Sequence, residues 1–138
     1  MSLKPNERQE LEEGLVEKLG RRGGCSLACR IIHGFRSETS PFVITDPKTR
    51  TRDVHFFLFD GSNALDMGGI YQIDDLLKII DTHHEGFIAV ATDWTRVDKH
   101  QHGQAMCGEE RRILERRFRD HILRRKVDFG IVEDFRDT

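Results

Sequence analysis

The chain has 138 residues, which suits one globular domain because dividing it would leave each half with a marginal core. Charged residues make up 33% of it and hydrophobic residues 37%, with nine phenylalanines, and this balance excludes global disorder. The formal net charge of −2 excludes a global field that would collect nucleic acid or an anionic membrane. No run reaches the roughly 18 apolar residues of a membrane span, and the first residues lack the apolar region of a signal peptide. We therefore expect a soluble cytoplasmic protein that does not enter a membrane.

Apolar spacing and turn-forming residues predict the order of secondary structure. The predicted elements are a helix over residues 6–19, a strand over 25–35 with a helix not excluded, strands over 42–45 and 53–59, a helix over 73–80, a strand over 87–91, a helix over 104–125 and a strand over 127–132. The run over 53–59 is apolar on both alternating faces, so it is predicted to lie centrally with both faces covered.

These elements predict an α+β or α/β fold. Pro47, in the turn between the second and third predicted strands, favours an antiparallel hairpin. Two successive strand, helix, strand runs with short connections predict two βαβ steps with parallel strands. The expected architecture is a mixed sheet of about five strands, with that hairpin and those βαβ steps, flanked by three helices.

The predicted topology places a candidate metal site at the carboxyl edge of the sheet. Asp60 and Asp93 each follow a predicted parallel strand, and ligands in open α/β sheets bind at that edge. The loop after Asp93 adds Asp98, His100 and His102, so a divalent metal or a carboxylate–histidine acid/base pair is one hypothesis. The loop after Asp60 adds Ser62, Asn63 and Asp66. The spacing matches no specific metal motif, so loop-stabilising turn residues are the favoured interpretation and no cofactor is expected.

The cysteines offer further candidates. Cys25, Cys29 and His33 are spaced by four residues, a spacing that a helix would bring to nearly one face for zinc. In the predicted strand such neighbours lie about 13 Å apart, so core packing is the favoured interpretation. Cys107 lies near the start of the last predicted helix, whose dipole would activate a thiol, but two nearby glutamates oppose this. His55, among apolar neighbours in the central strand, is interpreted as a hydrogen-bonded core residue.

The last predicted helix is rich in arginine. Arg112, Arg116 and Arg119 are candidates to contact phosphate or nucleic acid, each contact adding a salt-dependent increment to affinity. Acidic residues begin this helix and basic residues end it, an order that stabilises the helix through its dipole. With Phe118 in the apolar stripe, no aromatic residue interleaves to stack bases. A solvated helix face is therefore the favoured interpretation.

Phosphate-loop, dinucleotide-binding, HExxH and nucleophile-elbow patterns are absent from the sequence. The sequence therefore favours a small binding or regulatory domain that acts on a protein partner or as a homo-oligomer. The alternative is a metal-dependent hydrolase or nuclease that uses the five Asp and His residues of the predicted carboxyl edge. Nucleic-acid binding through the arginine-rich helix is a third and weaker hypothesis.

Overall fold

A computed structural model describes residues 4–5, 24–103 and 108–132, with the backbone alone described at 101–103. The helix predicted over 6–19 lies outside the described residues. In chain order the elements are α1 (Cys25–Phe35), β1 (Ser40–Thr45), β2 (His55–Phe59), β3 (Ala64–Asp66), β4 (Gly69–Tyr71), α2 (Ile73–Asp81), β5 (Ile88–Ala91), α3 (Trp94–Gly103), α4 (Gly108–Arg124) and a short 3₁₀ helix (Lys126–Phe129). Within these ranges, every helix falls short of the length and apolarity that crossing a membrane requires.

The five strands form one antiparallel sheet in the order β4-β3-β2-β1-β5. β1 and β2 make the predicted hairpin, in which Val43 lies opposite Phe56. β2 is the middle strand and its three inner residues are buried, which confirms the central position predicted for residues 53–59. The α+β class and the number of strands are also confirmed.

The predicted strand over residues 25–35 is wrong, because this segment is helix α1. Residues 25–29, 31 and 32 are all buried, so the sequence has no clear alternation between an inner and an outer face. Arg30 and Gly34 are the exposed positions, and the segment runs for 11 residues, a length typical of helices rather than strands. α1 packs its apolar side chains against the middle of the sheet.

The mixed sheet and the two βαβ steps are also wrong. β2 and β5 run in the same direction, but β1 lies between them and pairs with both in antiparallel fashion. The strand predicted over residues 127–132 is replaced by the 3₁₀ helix, which ends where Gly130 takes a left-handed φ of 66°. Phe129 is buried there, and its ring makes an edge-to-face contact with Phe118 on α4, with the two ring centroids 5.9 Å apart.

Both faces of the sheet carry a core. One face packs against α1, α3 and α4, and the largest side chains that it buries include Phe56, Leu58 and Phe118. The other face packs against α2, with Phe57 and Leu76 at its centre. Since β2 contributes a phenylalanine to each core, it fixes the position of the elements on both sides.

Candidate active site

Cys25 is the first residue of α1, and Gly24 precedes it as the N-cap. The Ala28 amide closes the first turn by donating to the Gly24 carbonyl at 2.8 Å. The N–H groups of a first helical turn have no intrahelical partner, and the positive end of the helix dipole favours a negative charge there. No acidic residue in the first turn of α1 opposes that effect. The position therefore favours a thiolate at Cys25 over a neutral thiol.

His55 opens β2 beside this helix end, and its ring is held by Asp66 from β3. His55 Nε2 lies 2.9 Å from Asp66 Oδ2, and both side chains are largely buried. The second carboxylate oxygen, Asp66 Oδ1, accepts the Gly68 N–H at 2.8 Å, which fixes the carboxylate. Since Asp66 occupies Nε2, Nδ1 is the ring nitrogen left for a second partner. Cys25 lies close enough to His55 for the two groups to shift each other's pKa, so its thiol is the candidate for that second partner.

Burial and hydrogen bonding act in opposite directions on Cys25. Burial raises the pKa of its thiol, but hydrogen bonds to His100 and His55, the positive charge of His55 and the Phe56 backbone N–H outweigh burial and lower the pKa to about 6. For His55, burial lowers the pKa, whereas the hydrogen bonds to Asp66 and Cys25 and their negative charges raise it to about 10. At neutral pH the two groups therefore form a thiolate–imidazolium pair.

A second imidazole contacts the same thiol from α3. His100 Nε2 lies 4.0 Å from Cys25 Sγ, and the His100 ring packs on the Phe56 ring with a centroid distance of 4.8 Å. The hydrogen bond to Cys25 raises the pKa of His100, burial opposes this, and the charges of Cys25 and Asp53 raise it further. Cys25 is only 6% exposed, so α3 and the start of β2 nearly enclose the sulfur.

Two arginine–carboxylate pairs and one buried side chain hold α3 in place over the site. Arg96 binds Asp53 through two hydrogen bonds of 2.8 and 2.5 Å, and Asp53 lies two residues before His55. Arg30 of α1 binds Asp98 through bonds of 2.9 and 2.5 Å, although this pair is more exposed. Val97, between them, is fully buried in the core. Because α3 is tied to both α1 and the start of β2, His100 has a fixed position relative to Cys25 and His55.

Gly68 offers a test of the support under Asp66. A Cβ at this position would collide with the Tyr71 hydroxyl and lie 3.3 Å from Asp66 Oδ1. We therefore expect Gly68→Ala to displace the carboxylate and to slow alkylation of Cys25 by iodoacetamide near neutral pH about tenfold. The added substitution Tyr71→Phe removes the hydroxyl and is expected to restore part of the rate. Gly34→Ala is the matched control, because a Cβ there has no neighbour within 4 Å. An unchanged rate in Gly68→Ala would show that the carboxylate does not depend on this loop.

The structure separates the carboxylates of the predicted metal site. Asp60 and Asp93 do lie at one edge of the sheet, because β2 and β5 run in the same direction, but β1 begins between them. Asp60 accepts the Ser62 and Asn63 amides at 2.8 and 2.7 Å and binds Arg36 at 3.2 Å.

The remaining predicted ligands also have separate surroundings. Asp93 accepts the Arg96 amide at the start of α3, and Asp98 pairs with Arg30. His100 is the member of the set that belongs to the Cys25 cluster, and the side chain of His102 lies outside the described residues. Among the side chains that the structure describes, no group of three or more His, Cys, Asp or Glu could hold a metal ion. The metal site stays a prediction without support from this geometry.

The arginine candidates lie on the solvent face of α4. Arg112, Arg116 and Arg119 are exposed, and Arg119 lies 3.5 Å from Glu115 one turn earlier. The face is exposed to solvent and carries both acidic and basic side chains, as the sequence predicts. Nucleic-acid contact through these residues stays a prediction.

The sequence does not predict Cys25, His55 and Asp66 as a unit. In the strand predicted over residues 25–35, Cys25 has no helix dipole to activate it, unlike Cys107 in the last predicted helix; Cys107 itself lies outside the described residues. The available signal was the Gly23-Gly24 pair directly before Cys25, because two glycines followed by a long apolar run mark a loop that leads into a helix. The interpretation of His55 as hydrogen-bonded was correct, but its partners were not identified.

Comparison of the chain with models of protein families, with curated proteins and with solved structures finds no match. The geometry of the Cys25 cluster is therefore the basis for assigning a function.

Proposed function

We propose that the protein is an acyl-transfer enzyme in which Cys25 is the nucleophile, His55 moves the proton and Asp66 orients His55. The observation that carries this proposal is the cluster at the start of α1, where Cys25 and His55 shift each other's pKa and Asp66 Oδ2 lies 2.9 Å from His55 Nε2. A nucleophile, a base within reach and a third group that orients the base are the parts that covalent acyl transfer requires. The substrates are amides, esters or thioesters, since their carbonyl carbon accepts a thiolate.

The reaction balances with these three residues. The Cys25 thiolate bonds to the carbonyl carbon, and the carbonyl electron pair moves to oxygen to give a tetrahedral oxyanion. When the oxyanion collapses, the bond to the leaving amine, alcohol or thiol breaks, and that group takes the proton from His55. Water or another acceptor then gives its proton to neutral His55 while attacking the thioester carbon. Collapse of this second adduct releases the product and restores the thiolate–imidazolium pair.

A structural thiol would have a different environment. Cys29, one helical turn further along α1, is fully buried, and burial together with the negative charges of Cys25 and Asp66 raises its pKa. Cys25 has the opposite shift because the neighbouring His100, His55 and Phe56 N–H favour its thiolate. Strongly shifted pKa values that arise from specific partners are typical of functional sites. The contrast within one helix supports a chemical role for Cys25.

The first test is alkylation of Cys25 by iodoacetamide as a function of pH, followed by mass spectrometry of the intact protein and its peptides. Only the thiolate reacts, so the rate is expected to rise about tenfold per pH unit up to a midpoint near the pKa of about 6 and to level off above it. In His55→Ala the midpoint is expected to move up towards 9.0, the ordinary value for a thiol. A rate that keeps rising to about pH 9 in the wild-type protein would contradict the proposal.

Cys107 provides the control for this experiment, because it is the other thiol that could react with the reagent. Cys107→Ser is expected to keep the low-pH alkylation, and Cys25→Ser is expected to lose it. Circular dichroism of each variant checks that the fold is retained. If the low-pH alkylation follows Cys107 instead, Cys25 is not the activated thiol.

The sequence-based predictions of a non-catalytic domain that binds a protein partner or a second copy, of a metal-dependent hydrolase and of nucleic-acid binding stay predictions. The cytoplasmic location is part of the present proposal. Cys25 and Cys29 are both free thiols, and a nucleophilic cysteine needs a compartment that keeps it reduced.

A further inference from the structure

We propose that His100 is a catalytic residue that donates a hydrogen bond to the oxyanion formed on the substrate. This inference rests on the acyl-transfer function proposed above and assigns to His100 a role different from that of His55. The two imidazoles reach the sulfur from different elements, His55 from β2 and His100 from α3. Only His55 is hydrogen-bonded to Asp66 in the described residues. The two imidazoles therefore have different hydrogen-bonding environments, which suit them to different roles.

The position of His100 Nε2 suits an oxyanion donor. It lies 4.0 Å from Cys25 Sγ, at the long end of the range for a hydrogen bond to sulfur. In the tetrahedral adduct the oxyanion lies two bonds away from the sulfur, and effective donors lie about 2.7–3.1 Å from that oxygen. A nitrogen just beyond the sulfur can meet both conditions. The Cys25 N–H, in the first turn of α1, is available as a second donor to the same oxygen.

Charge movement during the reaction favours this role. Before attack, the negative charge is on Cys25 Sγ, 4.0 Å from His100 Nε2. On attack, the charge moves from sulfur to oxygen, so a donor placed for the oxygen gains strength as the transition state forms. Two contacts hold the imidazole in place when the sulfur moves towards the substrate. These are the Phe56 ring packed on His100 and the Arg96–Asp53 pair one turn away. A preorganised donor of this kind stabilises the transition state more than the ground state.

The experiment compares two reactions of the same thiolate in the full chain. Acylation by p-nitrophenyl acetate forms a tetrahedral oxyanion, whereas alkylation by iodoacetamide is a direct displacement without one. Both rates are measured at about pH 8, where Cys25, with a pKa of about 6, is a thiolate. In His100→Ala we expect acylation to fall about 10²–10³-fold while alkylation changes less than about tenfold. His100→Gln keeps an N–H donor and is expected to regain part of the acylation rate.

The outcomes distinguish this inference from the function on which it rests. Equal losses of acylation and alkylation in His100→Ala would overturn the inference, because they would show that His100 only maintains the thiolate. Unchanged acylation would overturn it as well. If Cys25 in the wild-type protein is not acylated faster than in His55→Ala, the proposed function fails and the inference fails with it. Thermal unfolding of both His100 variants, compared with the wild type, checks that α3 still packs.

Discussion

Asp66→Asn is expected to slow acylation of Cys25 by p-nitrophenyl acetate by about 10²–10⁴-fold at neutral pH. The Gly68 N–H requires an acceptor, so the asparagine oxygen will face Gly68 and its amide nitrogen will face His55 Nε2. A donor at that position forces Nε2 to accept, so the ring is neutral and carries its proton on Nδ1. The substitution therefore preserves the shape of the site and removes the imidazolium charge that holds Cys25 as a thiolate. Stopped-flow measurement of p-nitrophenolate release gives the rate.

Asp81→Asn is the matched control for this substitution. Asp81 Oδ1 also accepts a glycine amide, that of Gly86 at 2.9 Å, but it lies at the end of α2 on the opposite face of the sheet. We expect its acylation rate to equal that of the wild type. A loss below about threefold in Asp66→Asn would remove Asp66 from the proposed mechanism.

Phe57→Ala is expected to lower the free energy of unfolding by about 3–5 kcal/mol. Phe57 is fully buried in the core between the sheet and α2, together with Ile44, Ala64 and Leu76. Removing its ring leaves a cavity in the middle strand, where neighbouring strands limit collapse around the gap. Equilibrium unfolding in urea measures the change, and an effect below about 1 kcal/mol would show that this core does not stabilise the fold.

The same variant separates stability from catalysis. Phe57 packs on the α2 side, whereas Cys25 lies on the α1 side, so the alkylation rate of Cys25 is expected to be unchanged where the variant is fully folded. Ile79→Ala is the surface control on α2: Ile79 is 55% exposed, and its loss is expected to change stability by less than about 0.5 kcal/mol.

Elements in which apolar residues recur in a clear pattern were predictable from the sequence. The apolar residues at helical spacing over 73–80 correspond to α2, and the doubly apolar run over 53–59 corresponds to β2. α1 was not predictable in this way, because seven of its first eight residues are buried and such a run has no continuous polar face to reveal its period. β3 and β4 have three residues each, too few to show alternation within a segment rich in turn formers.

The site depends on pairings that a single sequence does not display. His55 and Asp66 are 11 residues apart, and Cys25 and His100 are 75 apart. The sequence favoured Asp60 and Asp93, which follow the carboxyl ends of β2 and β5. His55 instead lies at the start of β2 and Asp66 at the end of β3, and these two strand ends are neighbours on the opposite side of the antiparallel sheet. Strand direction therefore decided which acidic residues meet a histidine, and strand direction follows from long-range contacts.

The distance along the chain between the partners of Cys25 has a consequence for synthesis of the protein. Until β2 and α3 have been made and have packed on α1, no histidine is held near the sulfur, and Cys25 has the chemistry of an ordinary thiol with a pKa of 9.0. Under the proposed function, the reactive thiolate therefore arises only after α1, β2 and α3 have packed together, and the unfolded chain carries no activated thiol at this position.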